Sequence, residues 1–204
     1  RDYSSPKEVL RKISFFKNKL IFPNEAREHV KTQKENKIID IYEAYQYALK
    51  DNDALDFDDL IIFPLVIFEK YPKVLNAFRE KWKYVLVDEY QDTNIPQFKF
   101  VTSIAGKHKQ ICVVGDDDQS IYGWRGAEVR NILEFEKSFP DCKIFKLETN
   151  YRSTQEILDA ATQVVQNNNH RKQKVLYADN GSGDKLGLFE TVDELEESDA
   201  VVSA

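Results

Sequence analysis

The feature that most constrains this chain is a short β-forming run that ends abruptly in carboxylates. Tyr84-Val85-Leu86-Val87 is followed by Asp88-Glu89-Tyr90-Gln91-Asp92. A run of this kind reads as a strand buried on both faces of a parallel sheet. Asp88 and Glu89 then stand at the C-terminal edge of that sheet, where open α/β folds bind their ligands. An Asp–Glu pair there suits Mg²⁺-nucleotide chemistry: the Asp holds the metal, directly or through water, while the Glu orients and deprotonates an attacking water. The same residues also read as a strand end followed by a solvated acidic turn, and the pair alone does not separate the two readings.

Two more apolar runs end in polar chemistry. Gln110-Ile111-Cys112-Val113-Val114 leads into Gly115-Asp116-Asp117-Asp118-Gln119-Ser120-Ile121-Tyr122-Gly123-Trp124-Arg125-Gly126-Ala127. Lys143-Ile144-Phe145-Lys146-Leu147, a weaker run, leads into Glu148-Thr149-Asn150-Tyr151-Arg152-Ser153-Thr154. Thr93 or Asn94 can cap a helix with Pro96 in its first turn, and residues 128–137 carry apolar side chains at roughly helical spacing. Both connections are long enough for parallel crossovers. Ser153-Thr154-Gln155-Glu156 has the pattern of a capping box opening a further helix. The expectation is therefore three parallel strands delivering three polar loops to one edge of one sheet.

Gln119 is a neutral donor and acceptor able to read a γ-phosphate or a nucleophilic water. Tyr122, Trp124 and Arg125 in a Gly-flanked loop suit stacking on bases and holding the backbone of a single strand. Packed aromatics beside a surface Arg are the alternative, left open by the residues themselves. Tyr151 offers a π-face and Arg152 a bidentate phosphate fork. A packed Tyr and a solvated Arg are again the alternative, although an Arg at a helix N-terminus opposes the dipole and points to an anion nearby.

Taken together the three loops resemble those of the UvrD/Rep/PcrA group of superfamily 1 DNA helicases. Residues 87–94 resemble its motif II, residues 114–127 its motif III and residues 147–153 its motif IV. Leu55-Asp56-Phe57-Asp58-Asp59-Leu60 resembles a segment that precedes motif II. The resemblance implies an α/β, RecA-like parallel sheet belonging to domain 1A, with a helical 1B-like segment before it and the start of domain 2A after it. It places these at residues 1–53, 54–152 and 153–204. It implies ATP and Mg²⁺ as cofactors, with Asp88 on the metal, Glu89 activating water, Gln119 sensing the γ-phosphate, Arg152 stabilising its charge and Tyr151 stacking on adenine. Tyr122, Trp124 and Arg125 would touch single-stranded DNA. Implied partners are single-stranded DNA, its junctions with duplex, and repair or replication proteins. The implied setting is the bacterial cytoplasm and nucleoid, the implied direction 3′ to 5′.

The departure from that family is as informative. No G-x-x-x-x-G-K-[ST] loop occurs, and the only Gly-Lys pair, Gly106-Lys107, has Val101 and His108 where the pattern needs Gly and Ser or Thr. The chain contains no Met. The expectation is an internal fragment of a longer helicase that hydrolyses ATP negligibly by itself. Two other functions compete: a metal-dependent nuclease or phosphatase built on Asp88, Glu89, Asp92 and Asp116 to Asp118, and a non-catalytic helicase-like module that binds proteins.

Charge adds a weaker constraint. Residues 1–50 hold 11 Lys and Arg against 7 Asp and Glu, whereas the whole chain is acidic at −6. Such a chain is no general nucleic-acid sponge, though its basic first segment can touch phosphates or simply wet the outside of helices. Helices are expected from Pro6 to Asn18, from Asn24, over residues 38–50 and, capped by Asp56, over residues 57–71. Near the end, a short strand at residues 185–190 and an acidic helix start at Asp193 are expected. No apolar run is long enough for a membrane span, and Cys112 and Cys142 read as buried free thiols in a reducing compartment.

Overall fold

The computed structural model describes residues 5–169 and 171–203. The chain divides into two compact units, residues 1–142 and 143–204.

The first unit opens with α1, Pro6–Asn18, whose start is set by a capping box: Ser5 accepts from the Glu8 N–H while the Glu8 carboxylate accepts from the Ser5 N–H. Val9, Ile13 and Phe16 face inward. They meet the short α2, Pro23–Ala26, and α3, Gln33–Asp51, which is capped by Thr32 and Glu35 in the same way. Phe16 stacks on Tyr42 at a 6.3 Å centroid separation. This apolar cluster of Val9, Ile13, Phe16, Ala26, Ile38, Ile39 and Tyr42 holds the helical N-terminal part together.

Lys17, at the end of α1, is 2 % exposed. A buried ammonium is stable only when paired and hydrogen-bonded, and the Leu55–Leu60 sequence supplies the partners. Lys17 Nζ lies 2.6 Å from Asp56 Oδ2 and 2.8 Å from Asp59 Oδ1. Asn18 Nδ2 donates to Asp58 Oδ1 at 3.2 Å. Burial alone pushes the Asp56 carboxyl up. The Lys17 ammonium, the Asp59 N–H and the Tyr45 hydroxyl outweigh it and hold Asp56 below the usual carboxylate range. Asp56 also accepts from the Asp59 N–H, so it closes the first turn of α4, Asp59–Lys70, two residues later than the expected start. Pro64 sits inside α4 and has no N–H to return to the preceding turn. Helix α5, Pro72–Lys81, was not anticipated; its Phe78 and the Phe100 of α6, Ile95–Ala105, both pack on Phe68 of α4.

Strands β1, Val85–Val87, and β2, Ile111–Val113, pair in parallel, Val85 opposite Ile111 and Val87 opposite Val113. Helix α6, capped by Asn94 as expected, forms the connection between them. The expectation of burial on both faces fails: Val85 and Val87 are half-buried, while Leu86 is 78 % exposed. In this two-stranded sheet the side chains that alternate to the other face meet no covering layer. Cys112, on that outward alternation, is exposed and Cys142 is half-buried, so neither is the buried thiol expected. The helix expected over residues 128–137 is broken at Glu134 into α7, Arg130–Leu133, and α8, Phe135–Ser138.

In the second unit, residues 143–147 form no strand. Ile144, Phe145 and Leu147 are all exposed, so neither face of that run has a core to pack on. The strand β3 is Thr149–Asn150, and it pairs in parallel with β4, Tyr177–Ala178, as a sheet of its own. Among the described residues the expectation of three strands in one sheet is thus corrected to two strands in each of two sheets. Helix α9, Gln155–Val165, starts at Thr154 with no side-chain cap. The expected capping box does not form: the N-cap is Thr154 rather than Ser153, so Glu156 falls one position short of N3, and its carboxylate accepts from the Gly183 N–H at 2.6 Å. No strand occurs at residues 185–190, whereas the acidic helix does, as α10, Glu194–Ser203. Among the described residues no helix is long and apolar enough to cross a membrane.

Candidate functional site

The site in the first unit begins where β1 runs out. Asp88 Oδ1 accepts from the Glu89 N–H at 2.9 Å. Glu89 takes a left-handed backbone, φ 49° and ψ 40°, a conformation that costs a non-glycine residue about 1–3 kcal/mol and clusters at functional sites. The turn is held from both sides. Val114 N–H donates to the Val87 carbonyl at 2.8 Å, and Tyr90 N–H donates to the Val114 carbonyl at 2.9 Å. Tyr90 is fully buried, edge-on to Phe135 at 5.6 Å, and burial pushes its phenol up to about 12.

Both carboxylates are exposed and border an open cleft of about 510 Å³. Leu60, Ile61, Pro64, Phe100 and Val101 form its apolar wall, and Asp88, Glu89 and Asp92 are its charged residues. This donor set fits Mg²⁺, which binds proteins through one or two carboxylates and keeps other positions for water or substrate phosphates. It does not supply a cradle for a triphosphate, because no Lys or Arg lines the cleft.

Gln91, which sequence reasoning left without a role, is 1 % exposed. Its Nε2 donates to Glu89 Oε2 at 2.8 Å, and its Oε1 accepts from the Asp116 N–H at 3.0 Å. Gly115 has no room for a side chain there, since a Cβ would lie 2.5 Å from Gln91 Oε1. Gln119, exposed, donates to Asp116 Oδ2 at 2.9 Å. The acid end of β1 and the loop after β2 are therefore one hydrogen-bonded assembly. The sequence carried a faint signal of this, a Gln two residues from the Glu in a short turn, but nothing in it told that Gln91 is buried.

The aromatics follow a few residues further along the same loop. Trp124 is 72 % exposed and Tyr122 39 %, with ring centroids 6.4 Å apart. The Arg125 guanidinium lies 4.5 Å from the Trp124 ring and 5.2 Å from that of Tyr122. These are not core aromatics, and an exposed pair beside a cation is suited to stacking and phosphate contact. Gly126, at φ 90°, turns the chain back. A Cβ on it would touch the Asn18 side chain at 3.3 Å, and Asn18 Oδ1 accepts from Asn94 Nδ2 at 2.6 Å. Glu128 N–H and Asn131 Nδ2 both donate to the Thr93 carbonyl.

Tyr151 and Arg152 belong to the second unit. Tyr151 is 73 % exposed. Asn150 Oδ1 accepts from the Arg152 and Ser153 N–H groups at 2.9 and 2.8 Å, which shapes the turn, and Asn180 Nδ2 donates to the Tyr151 carbonyl. The two-metal arrangement that a nuclease or phosphatase needs is not found: among the described residues no three His, Cys, Asp or Glu side chains are grouped to hold a metal ion.

The chain matches two family models: the UvrD/REP helicase N-terminal domain over residues 2–140 and the UvrD-like helicase C-terminal domain over residues 145–204. It is 45 % identical over 197 residues to the ATP-dependent DNA helicase PcrA of Staphylococcus epidermidis, and equally to that of Staphylococcus aureus. The alignments cover 97 % of this chain and 27 % of each relative.

Proposed function

The chain belongs to the UvrD/REP helicase family, and on that premise we propose that it is part of an ATP-driven motor that moves 3′ to 5′ along single-stranded DNA and opens duplex. The observation that carries the reading is the single assembly running from Glu89 through Gln91 and Asp116 to Gln119, on a loop that further along exposes Trp124 and Arg125. A nucleotide-side event and a strand-side event can then share one loop.

In this reading Asp88 holds Mg²⁺, which when bound neutralises charge on the phosphate oxygens. Glu89 orients and deprotonates the hydrolytic water. Gln119 contacts the γ-phosphate, Arg152 stabilises its developing charge and Tyr151 stacks on the adenine. Tyr122, Trp124 and Arg125 hold the single strand. No phosphate-binding lysine loop occurs in this sequence, and the chain spans 27 % of the length of the relatives it matches. Junctions of single-stranded and duplex DNA are the natural substrate, repair or replication proteins the natural partners, and the bacterial nucleoid the natural setting.

The direct test is DNA-stimulated ATPase of the full-length protein with Glu89→Gln. The amide keeps the shape and loses the base, so turnover is abolished while ATP binding persists. Near-normal turnover in that variant removes Glu89 from the chemistry.

A further inference from the structure

We propose that Gln91 is the positioning residue of the general base: it fixes the Glu89 carboxylate and ties it to the backbone of the loop that carries Gln119. The inference rests on the reading of Glu89 as the base and goes beyond it by naming what makes that base effective.

Glu89 lies at an exposed strand end, where a long carboxylate side chain samples many rotamers. Holding a reacting group in one geometry is worth a large part of a catalytic barrier, and an error of about 1 Å can cost about 10²-fold. Gln91 supplies that constraint from a buried position. Each end of its amide is committed. Asp116 N–H can only donate, so Oε1 must face it; the Glu89 carboxylate can only accept, so Nε2 must face it. The orientation of the amide is thereby fixed by its partners, and no apolar or acidic side chain reproduces both bonds.

One further hydrogen bond and the surrounding loop hold the residue itself in place. Its carbonyl accepts from Ser120 Oγ at 3.3 Å. Gly115 leaves the space that Oε1 fills. Asp116, whose N–H meets Gln91, also takes the Gln119 amide on its carboxylate. A displacement of the loop at Asp116 therefore moves the Gln91 amide, and with it the carboxylate of Glu89. The hydrogen bonds run without interruption from the proposed base to the proposed phosphate sensor. The opposite view, that Gln91 only satisfies a buried backbone N–H, accounts for the bond to Asp116. It gives no reason for the second bond, to an exposed carboxylate that water could solvate.

The discriminating variant is Gln91→Glu in the full-length protein. It keeps the length and the acceptor for Asp116 N–H; ionised, it removes the donor to Glu89 and sets a like charge beside it. Because burial next to Glu89 favours its protonated form, the assay is extended to alkaline pH. The expected result is a fall in kcat of DNA-stimulated ATPase of about 10- to 100-fold. KM for ATP stays within about threefold; a carboxylate buried beside Glu89 also lowers the melting temperature, so kcat and KM are read per folded molecule. Gly115→Ala pushes a methyl group at Gln91 Oε1 and also at Ile132 Cδ1 and the Tyr90 backbone N, so its fall in kcat is likewise read per folded molecule. It carries the test if Gln91→Glu does not fold, and in combination the two losses should be less than additive. Unchanged kcat in either folded variant overturns the proposal. So does a joint fall of kcat and ATP affinity per folded molecule, which marks a purely structural Gln91. The control is Glu89→Gln alone. If it retains turnover, the base assignment itself has failed. If it abolishes turnover while the Gln91 and Gly115 variants keep normal kcat, only the positioning role has.

Discussion

Trp124→Ala separates a strand-contacting loop from a structural one. Trp124 is 72 % exposed and its ring neighbours are Tyr122 and Arg125. Truncating a well-buried Trp costs about 3–5 kcal/mol of folding stability. At this exposure most of that packing is absent, and the remaining contact with Arg125 is of the exposed cation–π kind, about 0.5–1 kcal/mol. The expected loss of stability is therefore under about 1 kcal/mol. Binding is affected differently. One base stacked on an aromatic ring is worth about 1–3 kcal/mol, which corresponds to roughly 5- to 150-fold in Kd. The assay pairs fluorescence-anisotropy titration of a labelled single-stranded oligonucleotide, at fixed salt, with the melting temperature of the same preparation. Trp124→Phe, which keeps a π-face, should recover most of the affinity. An unstable Trp124→Ala protein whose folded fraction binds DNA normally refutes the reasoning and makes Trp124 a packing residue.

Three other outcomes are expected of the full-length protein. Arg152→Ala lowers kcat of ATP hydrolysis by about 10³-fold or more, the scale of an arginine finger; single-turnover hydrolysis checks it, and a loss below tenfold removes Arg152 from the charge-stabilising role. Lys17→Ala leaves Asp59, itself 2 % exposed, without its buried partner, at a cost of about 3–5 kcal/mol; a shift in the urea unfolding transition worth less than 1 kcal/mol, on the scale of an exposed pair, contradicts that reading. The depressed carboxyl of Asp56 makes a contribution to stability that is present in full above the ordinary value of 3.8 and is lost as pH falls through its lower folded value. Unfolding measured from neutral pH down through that window should show a steeper acid loss in the wild type than in Asp56→Asn.

Some helix starts were legible where a side chain closes a local ring, though not that of α3, which the Thr32–Glu35 box sets at Gln33, ahead of the expected residue 38. Ser5 with Glu8 and Asn94 with Gln97 lie within four consecutive residues, and both form. The Ser153–Glu156 pattern looked the same but failed, because the helix is capped at Thr154, one residue later, which leaves Glu156 out of the N3 position. Apolar runs told of strands only where something covers them. Ile111 to Val113 found a partner in β1, whereas residues 143–147 have exposed side chains and stay irregular. The acids of the site could be read because they end a strand. Gln91 could not, because a polar residue in a polar turn gives no sign of burial until the loop from residue 115 packs over it. The acids of Leu55–Leu60 were equally opaque: their partners, Lys17 and Asn18, lie about forty residues earlier.

That clasp has a consequence for anyone recombining this segment with a relative. The seam that the sequence suggests, between the helical residues 1–53 and those that follow, runs between Lys17 and the carboxylates that neutralise it. It also parts Asn18 from Asn94 and Gly126. A crossover placed there would inherit the cation from one parent and its anions from the other, with any drift in either left to meet inside the protein. The unit of exchange is instead the span from α1 through Gly126, and breakpoints outside it should be tolerated where those within it are not.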